Sequence, residues 1–320
     1  MRRLVVIASL AVLIMAAATQ SASALVAGIG DQNASTFADA NFKKLKVKRT
    51  RLIVAWDAIN KSSERARLSE WMGAAKAAKL KVLVAFNPST GSHCPSKPCS
   101  VPSPAKYAKA FKAFRKAFPQ VKEFNFWNET NSPTQPTGPA RKVKAAAKLY
   151  LAAKKACRSC TITGPDILDL AFDKKSGQKR VSVWVKTFLH AVGSRNYPKV
   201  WGFHNYQSTN YNRPSQTTFF TKKVAKKGQV WVTETGGIVQ FKTSTGKATP
   251  FEKYDENRAA KAITYAYSIA KKNRRIKRLY YYQWMKNNAG DLFDAGIVNP
   301  DGSPRPAYAK LLKLPKSIWK

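Results

Sequence analysis

The feature that most restricts the fold of this sequence is an alternation of short apolar runs with longer amphipathic segments, repeated about eight times between residues 25 and 320. The apolar runs cover 25–32, 51–59, 81–88, 123–129, 160–167, 199–207, 229–237 and 278–285. They are rich in β-branched and aromatic residues, which is typical of strands covered by helices on both faces. Segments such as 63–80, 103–118 and 255–275 have helical periodicity. Eight strand–helix units with short connections predict an α/β fold, a single-domain (β/α)8 TIM barrel.

An open, doubly wound sheet is the alternative architecture for such an alternation. It would place a glycine-rich phosphate turn after an early strand, and no G-x-G-x-x-G motif is present. Residues 25–320 match the usual size of one barrel, and no Pro/Gly/Ser-rich linker divides them. The sequence therefore predicts one domain over this range.

The first 24 residues have the layout of a secretory signal peptide. Two arginines precede an apolar stretch, and the small residues Ala22, Ser23 and Ala24 follow it as a cleavage site. A membrane anchor is the alternative, but the apolar stretch is short for a full span. We therefore expect a secreted, extracellular protein that does not span the membrane.

The sequence is strongly basic, with 57 Lys and Arg against 17 Asp and Glu and a net charge of +40. Loss of the two arginines of the leader would leave +38. Such a charge raises nucleic-acid binding as a hypothesis. The lysines, however, fall on the polar side of predicted helices, which indicates a solvated face, and no motif supports specific nucleic-acid recognition. Electrostatic association with an anionic cell wall or polysaccharide is the partner that we expect from this charge.

The four cysteines form two closely spaced pairs, Cys94 with Cys99 and Cys157 with Cys160. Export favours disulfides over thiols, and the two local pairings are preferred because each closes a small loop. A zinc site is the alternative, because C-x2-C is a metal spacing. The first pair lies in a Pro/Ser loop and no histidine pair accompanies it, so the sequence favours disulfides and no metal.

Polar side chains collect where the predicted strands end. This rim comprises Trp56, Asp57, Asn87, Asn128, Glu129, Asp166, His204, Asn205, Tyr206, Glu234 and Trp284, and the second strand also carries Arg51 near its start. The carboxyl ends of the strands are where the active sites of such barrels lie. We therefore predict an active site at this rim.

Two glutamates end the fourth and seventh predicted strands, which face each other across a barrel of eight. Hydrolysis of a glycosidic bond needs two carboxyl groups, Glu129 and Glu234 here, one to protonate the leaving oxygen and one to attack the anomeric carbon. A separation of about 5 Å would give retention of configuration, and roughly 6.5–9.5 Å would give inversion. The aromatic residues Trp56, Trp127, Tyr206 and Trp284 suit the apolar faces of sugar rings, with burial in the core as the alternative for several of them.

These motifs together resemble the retaining glycoside hydrolases of clan A. The resemblance rests on "WNETN", "WVTETGG", Arg51, "FHNYQ", "YYYQWM" and the closing segment "DAGIVNPDGSPRPAYAKLL". It spans nearly all of residues 25–320 and implies a small single-domain barrel similar to glycoside hydrolase families 5 and 39. Its loops are short, so subsites that larger members build from extra domains are not expected.

The resemblance implies a role for each rim residue. Glu129 would be the acid/base and Glu234 the nucleophile, kept ionised by Arg51. The implied substrate contacts are Asn128 on the sugar 2-hydroxyl, Tyr206 or His204 beside the nucleophile, Trp284 as the floor of the subsite for the attacked sugar, and Trp56 and Asn87 nearby. It implies a monomer that acts on a β-linked oligosaccharide or polysaccharide without metal or cofactor.

Other readings of these residues remain open at this point. Asp57 and Asp166 are more typical of structural or peripheral positions. His93, beside Cys94, is typical of a loop residue. A non-catalytic barrel that binds carbohydrate or a polyanion is the alternative function, although a binding protein does not need the glutamate pair. No H-E-x-x-H, G-x-S-x-G or phosphate-loop motif competes for the chemistry.

Overall fold

The computed structural model describes residues 25–320 except 93, 95, 97, 170–173, 244–245 and 289. The predicted leader, 1–24, and His93 lie outside the described residues. Among those described, no helix combines the length and the apolarity needed to cross a bilayer.

Nine parallel strands form the central sheet of the described chain. In chain order they are β1 Val26–Gly30, β2 Arg49–Ala55, β3 Lys81–Asn87, β4 Glu123–Asn125, β5 Thr161–Thr163, β6 Asp166–Leu168, β7 Val200–His204, β8 Gln229–Thr235 and, after the short β9 Gln240–Phe241, β10 Ile276–Tyr282. Their order is β5-β4-β3-β2-β1-β10-β8-β7-β6. Since β1 pairs with β10, the first and last strands of the central sheet are neighbours, and the (β/α)8 TIM barrel is confirmed.

The fifth predicted strand is broken into two short strands, β5 and β6. Pro165 lies between them and has no N–H for a ladder, so the run cannot pair continuously. β5 pairs with β4, and β6 pairs with β7. The Gly164 N–H donates a hydrogen bond to the Val200 carbonyl on β7 at 2.7 Å. The barrel therefore has nine strands where the sequence predicts eight. The two strands at the ends of the sheet order, β5 and β6, are adjacent in the chain.

Helices cover the outside of this barrel. They are α1 Ala40–Leu45, α2 Ser62–Ala77, α3 Pro104–Ala117, α4 Val143–Ala156, α5 Lys175–Val192, α6 Tyr206–Asn210, α7 Ser215–Phe219, α8 Glu256–Lys272 and α9 Pro306–Leu312, with 3-10 turns at Ala34–Ala38, Ala58–Asn60, Ala140–Lys142, Ser194–Asn196 and Lys316–Trp319. The side chains of Asp39, Ser103 and Asp255 cap α1, α3 and α8. α7 is short because it passes into a π-helix at Phe220–Val224.

The main hydrophobic core lies between the barrel wall and these helices. Phe86, Phe111, Phe114 and Phe124 pack against one another there, each at most 1% exposed. A short antiparallel pair, β9 with β11 Phe293–Asp294, lies on the rim loops after β8 and β10. This packing makes a rigid frame on which the strand ends can hold side chains in place.

Both local disulfides predicted from the spacing are present, Cys94–Cys99 and Cys157–Cys160. The first lies in the loop between β3 and α3, and the second lies between α4 and β5. All four cysteines are therefore bonded, and none is free as a zinc ligand.

Candidate active site

A buried arginine lies at the centre of the rim. Arg51, from β2, is 1% exposed, and its Nη1 donates to Glu234 Oε2 at 2.5 Å. Its Nη2 donates to Asn128 Oδ1 at 2.7 Å and to Asp166 Oδ2 at 3.1 Å. Because the guanidinium is a rigid planar fork, one side chain fixes three acceptors delivered by three different strand ends.

Glu234 reaches the interior of the barrel because β8 is irregular at this point. Near its carboxyl end β8 has one residue more than each neighbouring strand: the register with β7 shifts between Phe203 and His204, and the register with β10 shifts in the same sense between Leu279 and Tyr281. Such bulges re-aim side chains next to active sites. Here Thr233 donates to Asp166 while Glu234, the next residue, also points inward to Arg51. Simple alternation along the strand would send one of the two outward.

Tyr206 holds the other oxygen of the same carboxylate. Its hydroxyl donates to Glu234 Oε1 at 2.9 Å, and the ring is 3% exposed. Burial, together with the negative charge of Glu234, raises the pKa of Tyr206 well above its usual value. The hydroxyl therefore stays protonated, as a donor to Glu234 must be.

Glu129 is held more loosely than Glu234. It follows β4 in the left-handed region, at φ 45°, which is strained for a residue with a side chain. Its Oε1 lies 3.1 Å from His204 Nδ1, and its side chain is 20% exposed against 8% for Glu234. One carboxyl group is thus clamped on both oxygens, whereas the other has one contact and access to solvent.

His204 links the two sides of the site. Its Nε2 lies 3.0 Å from Asp166 Oδ2, on the opposite side of the ring from Glu129. Burial alone would lower the pKa of His204, but the charges of Asp166 and Glu234 outweigh burial and raise it to about 10. The ring is therefore an imidazolium at neutral pH and donates to both Asp166 and Glu129. Arg51 Nη2, 3.3 Å from Nε2, converges on the same Asp166 oxygen as a second donor.

Asp166 belongs to the rim predicted from the sequence, but it is central to the site, whereas its sequence context indicates a structural or peripheral position. It is fully buried, and burial would raise its pKa, but His204 and Arg51 lower it, so it stays ionised. Gly202 on β7 makes room for it, since a Cβ there would lie 2.2 Å from Asp166 Oδ1. The sequence does contain a signal: an aspartate opening an apolar strand segment requires a buried cation.

Glu129, His204 and Glu234 are also the one group in the described chain whose donor atoms, all within 4.8 Å of one another, could hold a metal ion. An imidazolium has no free lone pair for a metal, and Arg51 already occupies one oxygen of Glu234. The donor set therefore fits acid–base chemistry better than metal binding.

Asn87 and Trp56 lie at the ends of β3 and β2, beside this group, and both are half-buried. Gln135 Nε2 donates to Asn87 Oδ1 at 3.2 Å, while Trp127 Nε1 donates to Gln135 Oε1 at 3.0 Å. Trp127 is fully buried, so it supports the rim from behind. Asp57 accepts from Ser89 at 2.7 Å, in keeping with the peripheral role that the sequence indicates.

The structure does not place Trp284 where the resemblance implies. Trp284 lies beyond the end of β10 and is fully buried, packed edge-on against Phe42 and Tyr308, so it presents no face to a sugar. Tyr282, the last residue of β10, faces the site instead. Burial and the charge of Glu234 raise its pKa. The alternation of inward and outward side chains along β10 ends with the strand at Tyr282. The motif "YYYQWM" therefore points to Trp284, two residues beyond the side chain that faces the site.

The sequence profile of the family described as "Glycosyl hydrolase catalytic core" matches residues 100–309, well over half of the chain and including both glutamates. The chain belongs to this family. It is a glycosidase that hydrolyses O-glycosyl compounds, and the resemblance to glycoside hydrolases is confirmed. No curated protein sequence matches the chain.

Solved structures give the same fold at low identity. GH5_18 from Streptomyces cattleya, in complex with GlcNAc, superposes with a TM-score of 0.62 at 12% identity, over 91% of this chain and 79% of that one. The mannanase catalytic domain from Streptomyces sp. SirexAA-E gives 0.57 at 14%, over 92% and 86%. Xylanase B from Clostridium stercorarium F9 gives 0.57 at 12%, over 91% and 97%. These likenesses concern the barrel.

Proposed function

We propose that this glycosidase is a secreted, retaining enzyme that cleaves β-linked oligosaccharides or polysaccharides by double displacement. The observation that carries the proposal is the convergence of Glu129, Glu234 and His204, with donor atoms all within 4.8 Å of one another. A gap of about 5 Å between two carboxyl groups leaves room for direct attack on the sugar but not for an intervening water.

The environments of the two glutamates divide the roles. Glu234, clamped by Arg51 and Tyr206, is the ionised nucleophile that attacks the anomeric carbon and forms the glycosyl-enzyme. Glu129, the more exposed group, gives its proton to the leaving oxygen. In the second step Glu129 takes a proton from water, and that water releases the sugar from Glu234 with overall retention.

The cations of the site assist both steps. As charge leaves Glu234, Arg51 and the Tyr206 hydroxyl keep its carboxylate in the attacking orientation. The His204 imidazolium contacts Glu129 and stabilises it after proton donation. Asp166 accepts from both Arg51 and His204, and its negative charge compensates these two buried cations. Asn128, beside Glu129 and bonded to Arg51, is the proposed contact to the sugar 2-hydroxyl.

The proposed substrate class follows the structural neighbours, which include a mannanase, a xylanase and a GH5_18 variant in complex with Manb1-4GlcNAc. Secretion is supported by the predicted leader, 1–24, and is compatible with two disulfides. The net charge of +40 supports association with an anionic wall or polysaccharide outside the cell.

A panel of β-mannan, β-xylan, β-glucan and aryl β-glycosides tests this function on the wild type, Glu234→Gln and Glu129→Gln. We expect at least about a thousandfold loss of kcat in Glu234→Gln, because attack needs a carboxylate. Glu129→Gln should lose most on substrates with poor leaving groups and least on activated aryl glycosides. Glu70→Gln, on the exposed face of α2, is the matched control and should behave as wild type. Unchanged hydrolysis by Glu234→Gln would refute the nucleophile assignment.

Stereochemistry gives an independent test. Proton NMR of the first product formed should show the β anomer, since two inversions restore the configuration. Azide added to Glu234→Ala should yield an α-glycosyl azide by one displacement, whereas azide added to Glu129→Ala should yield the β-glycosyl azide. An initial α anomer from the wild type would mean inversion and would exclude double displacement.

A further inference from the structure

Another buried carboxylate lies close to the site and takes no part in the proposed acid–base and nucleophilic steps. Asp169 directly follows β6 and is fully buried. Its Oδ1 accepts the backbone N–H of Gln207 at 2.8 Å, and its Oδ2 accepts that of Ser208 at 2.9 Å. Both oxygens therefore hold the first turn of α6.

This contact supplies what α6 lacks from its own sequence. The helix is a single turn that begins at Tyr206, and Asn205, the residue before it, makes no side-chain capping bond. A helix of one turn has little stability by itself, so its orientation depends on its caps and its packing. Asp169 caps it from a different segment of the chain.

The opposite end of α6 is bonded to the segment that directly follows β8, the strand that carries the nucleophile. Asn210 Nδ2 donates to the Gly236 carbonyl at 2.9 Å, and its Oδ1 accepts the Ile238 N–H at 2.7 Å. With Asn210 fixed, Asp169 controls the remaining end, where Tyr206 starts the helix. Release of that end would change the 2.9 Å bond from the Tyr206 hydroxyl to Glu234.

Asp169 is costly to keep in this position. No salt bridge partner within 4.0 Å is found for it among the described residues, and its burial raises the pKa to about 7 although the two N–H bonds and the charge of His204 act in the other direction. An aliphatic residue would avoid this cost but could not accept the two N–H groups.

We propose that Asp169 is a positioning residue for the nucleophile, acting through the first turn of α6 and the Tyr206 hydroxyl. The inference rests on the proposed role of Glu234 as nucleophile. It predicts that the effect of Asp169 on catalysis passes through one bond and vanishes when that bond is absent.

A double-mutant cycle tests this on the full protein. Asp169→Asn, which keeps the shape but loses one strong acceptor, should lower kcat about tenfold with KM changed less than about twofold. In a Tyr206→Phe background the same substitution should change kcat less than about twofold. Melting curves for each variant show that the protein is folded.

Asp31→Asn is the matched control. Asp31 is also fully buried at a strand end, accepts the backbone N–H groups of Asn33 and Met285, and has a pKa raised by burial to about 6. Neither of these two partners belongs to α6. The effect of Asp31→Asn on kcat, whatever its size, should be the same fold-change in the wild-type background and in the Tyr206→Phe background.

An equal fold-change for Asp169→Asn in both backgrounds would overturn the inference, as would an unchanged kcat when Tyr206 is present. Asp169→Ser is made in parallel. If neither variant folds while Asp31→Asn does, Asp169 serves the fold and not the nucleophile, which also overturns the inference. Failure of the proposed function is separate: it would appear as full activity in Glu234→Gln.

Discussion

The two ends of the barrel interior each contain an ionic cluster, built in part from the same strands. At the lower end, where the strands begin, Glu123 pairs with Arg278 and Arg49. The Arg278 guanidinium there lies 3.6 Å from the centre of the Trp231 ring. At the upper end, which holds the candidate active site, Arg51 and His204 form ion pairs with Asp166, Glu129 and Glu234. β2 contributes to both ends, with Arg49 below and Arg51 two residues further along.

The difference lies in which sign of charge is in excess. The lower cluster has two cations for one carboxylate, and both oxygens of Glu123 are bonded to arginines although its side chain is 19% exposed. We call this end closed because no carboxyl oxygen is left without a cation. The upper cluster has three carboxyl groups for two cations, and the least constrained of them, Glu129, is the one that reaches solvent. A buried ionic cluster becomes reactive when it holds one carboxyl group more than its cations neutralise.

The strongest test of this comparison replaces the two arginines of β2 in turn. Arg51→Lys should lower kcat/KM by about a thousandfold, because an ammonium cannot bond Glu234, Asn128 and Asp166 in one plane. Arg49→Lys should change it less than about threefold, since Arg49 makes one 3.5 Å bond at the far end. Steady-state kinetics on an aryl glycoside measures both, and similar losses would contradict the division into a reactive and a closed end.

Glycine substitution gives a smaller effect at the upper end. Gly202→Ala should cost about tenfold or more in kcat and about 1–3 kcal/mol in the free energy of unfolding, because the new methyl would displace Asp166. Gly73→Ala on α2 is the control, since nothing lies within 4 Å of a Cβ there, and should stabilise by about 0.5–1 kcal/mol. Kinetics and denaturant titration should separate the two, and wild-type kcat in Gly202→Ala would refute the role of Asp166.

At the closed end we expect a stability effect only. Arg278→Lys loses the paired bonds to Glu123 and the planar contact with Trp231, which should lower the free energy of unfolding by about 1–3 kcal/mol. The value of kcat should not change. Thermal melts beside initial rates check this, and a fall in kcat in fully folded protein would show that the two ends are coupled.

The mildest signal should come from pH. The folded pKa of His204, about 10, lies above its ordinary value of 6.5, so its contribution to stability is complete below about pH 6.5 and is lost as pH rises through about 10. The difference in unfolding free energy between wild type and His204→Gln should therefore shrink over this interval. A difference that stays constant from pH 6 to 10 would mean that His204 is neutral in the folded protein.

Much of this structure can be predicted from the sequence because its signals are local. Apolar alternation predicts the barrel, and the strand ends predict Glu129, His204, Tyr206 and Glu234, whereas the role of Arg51 follows from the family resemblance. The break at Pro165 is visible in the sequence, but a strand pairing on each side of it needs the register of the neighbours. The disulfides follow from the cysteine spacing together with the predicted export.

The remaining features depend on the third dimension. The inward aim of Glu234 comes from an extra residue in β8, which no periodicity shows. Tyr282 and not Trp284 faces the site, because alternation stops where β10 stops. Asp166 and Asp169 resemble ordinary strand-end aspartates in the sequence, and only their buried partners distinguish one as the counter-charge of His204 and the other as the cap of α6.

The break at Gly164 and Pro165 also divides the chain into two half-barrels. One half, residues 25–163, carries Arg51 and Glu129, and the other, 166–320, carries His204 and Glu234. The halves meet at two places. At the first, β5 and β6 are connected by only two residues, so bringing them together costs little loop entropy. At the second, β1 pairs with β10, and this contact joins segments that are far apart in the sequence. Neither half holds both glutamates, so catalytic turnover itself shows that β1 has paired with β10.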